Sequence, residues 1–249
     1  ASDVYKRQVY GTEIKMKYLI DTHTHTIASG HAYNTIDEMT RKAAQIGLPA
    51  IAFTEHTPKM PGSCGKLYFS NFKVLPREKF GVRRLFGCEA NIMDYDGTLD
   101  MPDTLLEKMD IVIASFHIPC ICPGTKEQNT QALVQVLENP LVDIIGHPDD
   151  SRYPVDFETV VRAAKQNNKF LELNNTSLKP DGPRSGAREN DLCMLKLCME
   201  HGVMITLGSD AHVEEDICNF SYAEELLKEV HFPDQLIANL DLDRFTALL

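Results

Sequence analysis

The stretch Met16-Lys-Tyr-Leu-Ile-Asp-Thr-His-Thr-His25 runs from a short apolar segment straight into two histidines two residues apart. Residues two apart on an extended chain point to one side, so both imidazoles can face the same centre. The far end of the chain repeats the device: Val203-Met-Ile-Thr-Leu-Gly-Ser-Asp-Ala-His212 is an apolar run followed by Asp210 and His212. Between the two, further apolar runs lead to His56, Glu89, His117 and His147, and His31 follows His25 after the turn at Ala28-Ser29-Gly30. The steps between most of these runs are roughly thirty residues, the size of one βα unit.

Helical periodicity fills the intervals. Strands are expected at 17–22, 49–54, 83–88, 110–116, 142–146, 170–173 and 203–208, and helices at 35–46, 130–138, 156–167, 190–201 and 222–230. Gly47 and Gly202 mark helix ends, and Asp96-Gly97 is a hairpin-turn signal. Strands alternating with helices imply a parallel sheet with right-handed crossovers. An open sheet would spread its strand ends along a line. A closed barrel gathers them on one face, which is where barrel enzymes hold their sites. Candidate ligands at six of seven strand ends therefore favour an α/β barrel of seven strands in a single domain, residues 16–249. Residues 1–15 lack periodicity, and residues 2–8 resemble translated adaptor sequence; a non-native or disordered leader is expected there.

The chain has 249 residues, 43% hydrophobic, with a formal net charge of −11, enough apolar content for a core and far too acidic for general nucleic-acid or anionic-membrane binding. A local basic pocket for a small phosphorylated substrate stays compatible with that balance. The seven cysteines form no C-x-x-C pair, and no signal peptide or membrane-length apolar segment opens the chain. A reduced, cytoplasmic setting is expected.

A lone histidine is usually structural. Here His23, His25, His31, His56, His117, His147 and His212 join Glu89 and Asp210 in one strand-end register, more ligands than one tetrahedral ion takes. Two or three divalent ions are expected, and clusters of that kind mostly perform hydrolysis. Glu89 ends an apolar strand, where an unpaired carboxylate is costly. Its arginine neighbours, Arg83 and Arg84, sit at the strand's other end, so a bridging role between cations is the better reading. Glu55 should face away from the centre. His201 and His231 lie near helix ends and read as structural. Cys120 and Cys122 read as ordinary small residues.

These motifs resemble those of the PHP (polymerase and histidinol phosphatase) family, in particular its YcdX-like phosphatase branch. The resemblance is carried by His23-Thr24-His25, His31, Thr54-Glu55-His56, Gly87-Cys88-Glu89-Ala90-Asn91-Ile92 with Asp96-Gly97, Phe116-His117, Gly146-His147-Pro148, Leu171-Glu172-Leu173-Asn174-Asn175 and Leu207-Gly208-Ser209-Asp210-Ala211-His212. It extends from about Met16 to the end of the chain. It implies a distorted TIM-like (β/α)7 barrel with a trinuclear metal cluster, most often zinc, with manganese or iron as alternatives. It also implies a division of ligands. His23, His25, Glu89 and Asp210 would hold one ion, and His31, His56 and His212 a second. His117 and His147 would hold the third and share Glu89. The implied activity is metal-dependent hydrolysis of phosphomonoesters of small metabolites or nucleotides, with Asp210 and Glu89 as the catalytic carboxylates and a homo-oligomer, a trimer, as the assembly.

Substrate residues are less legible. Asn174 and Asn175 occupy the one strand end without a ligand. Arg152, Lys179, Arg184 and Arg188 flank loops that can meet a phosphate dianion. Three other functions share these motifs: a histidinol-phosphate phosphatase, a PHP-type nuclease and a non-catalytic metal-binding module. An acidic chain without a polymerase segment disfavours the nuclease, and nine intact ligand positions disfavour the inert module.

Overall fold

Short strands, most of them buried on both faces, build one sheet. In the computed structural model, which describes residues 17–249, the strands are β1 (Ile20–Asp21), β2 (Ala50–His56), β3 (Glu78–Lys79), β4 (Val82–Asn91), β5 (Val112–Ser115), β6 (Ile144–Ile145), β7 (Phe170–Asn174) and β8 (Ile205–Gly208). The leader expected at residues 1–15 lies outside the described residues. Seven of these strands pair in parallel in the order β1-β2-β4-β5-β6-β7-β8. The helices between and after them are α1 (Ile36–Ile46), α2 (Lys66–Ser70), α3 (Asp103–Leu106), α4 (Lys126–Glu138), α5 (Phe157–Asn167), α6 (Ala187–His201), α7 (Ser221–Glu229) and α8 (Leu242–Leu248). This is the expected distorted (β/α)7 barrel.

The ring closes between β8 and β1, elements more than 180 residues apart in sequence. A parallel bridge joins Thr24 to Ala211. The His25 amide donates to the Ala211 carbonyl at 2.9 Å, the Asp210 amide to the His23 carbonyl at 2.9 Å, and the Thr22 hydroxyl to the Leu207 carbonyl at 3.0 Å.

Period-two alternation sorts each strand into an outer and an inner column. Outward residues such as Ile51, Phe53, Phe86, Leu171, Leu173 and Leu207 pack in the large cluster beneath the helices. Inward residues Ile20, Ala50, Ala52, Leu85, Ile113, Ile144 and Phe170 form a smaller cluster inside the barrel, closed from below by Phe245 of α8. Continuing up the same inward columns, β4 passes from Leu85 to Glu89, β7 from Phe170 to Glu172 and Asn174, and β8 from Thr206 to Asp210. The barrel is thus apolar at its base and polar at the C-terminal ends of its strands.

Helix starts follow local chemistry. Capping boxes at Thr35/Glu38 and Thr125/Gln128 begin α1 and α4, and the Asp156 side chain caps α5. The Gln128 box starts α4 at Lys126, earlier than apolar periodicity alone indicates. The strand β3 was not expected. Phe80 and Gly81 both take positive φ (56° and 76°), the geometry of a tight hairpin turn, and fold Glu78–Lys79 back antiparallel on β4.

Candidate metal centre

Nine side chains from six strand ends and their following loops meet at the barrel mouth. Glu89, fully buried at the end of β4, stands at the centre. Its Oε1 lies 2.7 Å from His147 Nε2 and 3.1 Å from His117 Nε2. Its Oε2 lies 2.7 Å from His56 Nδ1, 3.4 Å from His23 Nε2 and 3.6 Å from His25 Nε2. Each oxygen of one carboxylate therefore addresses a different set of imidazoles. On the β8 side, Asp210 Oδ1 lies 3.3 Å from His25 Nε2, 3.6 Å from His212 Nδ1 and 3.8 Å from His23 Nε2. His31 Nε2 is 3.0 Å from His212 Nε2, and its ring stacks on His56 with centroids 4.9 Å apart.

Three groups have ligand atoms close enough for a shared ion: His23, His25 and Asp210; His25, His56 and His212; and His56, Glu89 and His117. Sequence resemblance gave His56 to the His31–His212 ion alone. The geometry sets it between that group and Glu89.

The ring tautomers are fixed from behind. His23 Nδ1 donates to Glu172 Oε1 at 2.7 Å. His25 Nδ1 donates to Ser29 Oγ at 3.0 Å, and Ser29 passes its own proton to Glu55 Oε2 at 2.6 Å. His117 Nδ1 donates to Asn91 Oδ1 at 2.7 Å, and His212 Nδ1 to the Asp210 carbonyl at 2.9 Å. A metal-bound imidazole is oriented by such a bond on its other nitrogen. With both Nδ1 protons committed, a neutral His23 would set its Nε2 lone pair against that of His25 only 3.0 Å away. Two lone pairs at that distance repel unless a cation lies beside them. Burial disfavours a charge on His23, but Glu172, Glu89 and Asp210 outweigh it and favour the cationic ring. His56 Nδ1, His117 Nε2 and Glu89 Oε2 are buried without a hydrogen bond of acceptable geometry. The donor set, imidazole and carboxylate, suits zinc and related divalent ions, so the residues fit a metal centre.

Electrostatics agree. Burial would raise the Glu89 carboxyl, but His117, His56 and His23 hold it well below its ordinary range. Burial acts the same way on Asp210, and His23, His25 and Arg184 outweigh it. Burial, reinforced by the neighbouring His56 and His212, keeps His25 neutral, the form that binds metal. Two of the residues sit in left-handed backbone, His147 at φ 31° and Asp210 at φ 54°. Such strain costs about 1–3 kcal/mol per residue. It is held by the His147 amide donating to Glu172 Oε2 at 2.8 Å and by the Asp210 amide bond across the seam.

The remaining predicted residues separate. Asn174 stays at the centre: its Nδ2 lies 3.2 Å from Glu172 Oε2 and 3.3 Å from Asp210 Oδ2. Arg184 reaches in from the loop after β7, its Nη2 on Asp210 Oδ2 at 3.1 Å and its Nη1 on Asn174 Oδ1 at 3.2 Å. Asn175 turns away, and its Oδ1 accepts from the Tyr222 and Ala223 amides at the start of α7. Arg152 is engaged through its guanidinium by Asp150, Arg188 pairs with Glu229 on the surface, and Lys179 pairs with Asp216 at 2.9 Å. His201 contacts Glu158 at 3.2 Å, away from the barrel mouth. Glu172, Ser29 and Asn91 are the supporting residues not singled out from sequence. Glu172 carried a signal, a carboxylate in the inward register of a buried strand.

Fold and site together define a parallel barrel with a histidine- and carboxylate-lined metal centre at its C-terminal mouth. A family model for the PHP domain matches residues 21–177, and the chain belongs to the PHP family. It is 50% identical to a probable phosphatase of Clostridium novyi over 91% of this chain and 92% of that protein. A probable phosphatase of Caldicellulosiruptor saccharolyticus is 47% identical over 92% of this chain and 95% of its own. Among solved structures, histidinol phosphate phosphatase from Lactococcus lactis, complexed with zinc, L-histidinol and phosphate, superposes with TM-score 0.61 at 19% identity, covering 87% of this chain and 95% of that one. Among the described residues no helix is long and apolar enough to cross a membrane.

Proposed function

We propose that this protein is a metal-dependent phosphomonoesterase acting on small phosphorylated metabolites or nucleotides through a trinuclear centre. The enzyme class, a phosphatase hydrolase, is that of its relatives. The observation that carries the finer reading is Glu89, whose two oxygens each face a different set of imidazoles, the arrangement a bridging carboxylate needs.

His23, His25, Glu89 and Asp210 would hold one ion, His31, His56 and His212 a second, and His117 and His147 with Glu89 a third. When bound, divalent ions supply Lewis acidity toward water and phosphoryl oxygens, and zinc fits this donor set best. The protein's own groups do the rest. Arg184 and Asn174 orient a phosphate dianion beside Asp210, Arg184 by the forked geometry suited to that anion. Asp210, held ionised, turns Oδ1 toward the histidines and Oδ2 toward Arg184, and it accepts the proton of the attacking water. The rigid imidazole set fixes the direction of attack in line with the departing alkoxide. The unpaired state of all seven cysteines supports a reducing, cytoplasmic setting. Exposed Leu67, Val74 and Phe80 suit a homo-oligomer, with the trimer as the expected state and light scattering as its check.

The test combines metal analysis with a panel of phosphorylated metabolites, L-histidinol phosphate among them, and short oligonucleotides. More than one equivalent of metal per chain and phosphate release from monoesters are expected. A fully active protein with a single equivalent would refute the cluster, and cleavage of oligonucleotides alone would make it a nuclease.

A further inference from the structure

The barrel's other end holds a second concentration of chemistry. Where α5 and α6 finish and β7 and β8 begin, a cavity of about 180 Å³ opens beside α8. Lys165, Lys169 and Arg244 line it, together with Gly202, Met204 and Leu248, and no carboxylate does. In a chain of net charge −11 that is an unusual lining. Among the described residues none of the three cations lies within ion-pair distance of an acid: Lys165 donates to the Gly202 carbonyl at 2.9 Å, Lys169 to the Pro140 carbonyl at 3.2 Å and Arg244 Nη1 to the Gln235 carbonyl at 3.1 Å. One carbonyl each leaves two protons on either ammonium and most of the guanidinium edge uncommitted.

The competing charges are fewer. The C-terminal ends of α5 and α6 each present about half a negative charge. Asp143 stands near Lys169 but does not line the cavity, and its carboxylate accepts the Val112 amide at 2.7 Å. The C-terminal end of α8 at Leu248 adds a similar partial charge, and three cations still outweigh these, leaving roughly one positive charge to complement a phosphate ion near neutral pH. The volume is below the roughly 300–1,000 Å³ of pockets for drug-sized ligands, which selects a compact anion. The lining is also prearranged. Gly202, at φ 63°, and Asn168, at φ 53°, reverse the chain at both helix ends and set the main chain of the two loops against the cavity.

We propose that this basal cavity is an anion site for inorganic phosphate or the phosphoryl group of a small monoester, separate from the metal centre at the opposite end of the barrel. Lys165 and Lys169 act as point charges and Arg244 as the forked donor.

The test is calorimetric titration of the metal-loaded protein with inorganic phosphate. Two binding events are expected, one abolished by Asp210→Asn and one retained. The retained event should weaken as sodium chloride rises, and it should weaken by about tenfold or more in Arg244→Gln, since a charge-assisted contact is lost. Lys165→Gln, at an exposed helix end, is the second variant should Arg244→Gln perturb α8, and it should weaken the same event. Hydrolysis of p-nitrophenyl phosphate in the absence of added phosphate should be unchanged in both. A single event that disappears with Asp210→Asn would overturn the proposal, as would a retained event insensitive to both basal substitutions. A phosphate event retained at the base while hydrolysis is absent would refute the proposed activity and leave the basal site standing.

Discussion

Replacing Glu172 by glutamine removes one charge and almost no volume, and it should damage a metal centre whose ligands the residue orients from behind. Glu172 Oε1 accepts from His23 Nδ1 at 2.7 Å, and Oε2 accepts from the His147 amide at 2.8 Å and from Asn174 at 3.2 Å. A glutamine has one acceptor oxygen and one NH₂ to place in that frame. With the NH₂ toward His23, the imidazole must move its proton to Nε2, which points at Glu89 and His25 and forfeits the ligand lone pair. With the NH₂ toward His147, an amide N–H meets a donor where the strained His147 backbone depends on an acceptor. Leaving a buried donor unpaired costs about 1–3 kcal/mol, and losing such supporting bonds typically weakens metal binding by about 10–100-fold. Competition with a chelator should show that loss in the most weakly held equivalent. Turnover should recover partly at saturating metal, because the ligands themselves remain. Glu158→Gln on the outer surface serves as control. Wild-type metal affinity in a folded Glu172→Gln protein would refute the argument that tautomer control from behind sets the centre.

Glu89→Gln should lower kcat by orders of magnitude, because a neutral amide cannot balance cations on both sides; unchanged turnover with full metal content would remove its bridging role. Gly208→Ala should unfold the mouth: an added Cβ would stand 1.9 Å from Glu172 Oε1 and 2.8 Å from His23 Cβ, so a drop in Tm equivalent to about 1–3 kcal/mol or more is expected. His201→Gln and His231→Gln should leave metal content and kcat near wild type, whereas His56→Gln and His212→Gln should each lose metal. Burial pushes the Asp143 carboxyl up to about 6. An unfolded aspartate titrates near ~3.9, so the folded state binds the proton more tightly between the two values, and this carboxyl makes stability fall as pH rises through that window and level off above it. Asp143→Asn, which keeps an acceptor for the Val112 amide, should therefore gain on wild type by about 2–3 kcal/mol from pH 4 to 7 in denaturant titrations; parallel curves would refute the sign.

The element order was legible because six of the seven parallel strands are short apolar runs with a candidate ligand at or just past the end, and most long helices carry a cap or a terminal glycine. Gly47, Gly202 and Thr35 mark boundaries on their own. Boundaries set by hydrogen bonds rather than apolar spacing were less legible: α4 starts at Lys126 behind the Thr125 capping box, and α6 starts at Ala187 after the left-handed Gly186. The short α2 and α3 lie in stretches too brief for periodicity. The ligand candidates stood out because histidine at strand ends has few competing explanations. The order of the arginines did not stand out, since Arg152, Arg184 and Arg188 look alike in sequence. Only Asp150 and Glu229, which engage two of them, leave Arg184 turned inward. Asn91 gains its role from His117, presented by the next strand, and Ser29 from the fold of its own turn, which brings it back onto His25 four residues earlier and onto Glu55 of β2; apolar spacing encodes neither.

The ring of strands meets itself beside the centre. His23 and His25 stand on one side of the β1–β8 seam, Asp210 and His212 on the other, and a single bridge with a few hydrogen bonds spans it. An ion shared by His23, His25 and Asp210 is then a clasp between the two ends of the chain. It would make a contact between strands more than 180 residues apart contingent on metal supply. Starved of metal, the protein should part there first, with exchange of the His25 and Asp210 amides leading that of every other strand, so that proteolysis would clear unloaded copies ahead of loaded ones.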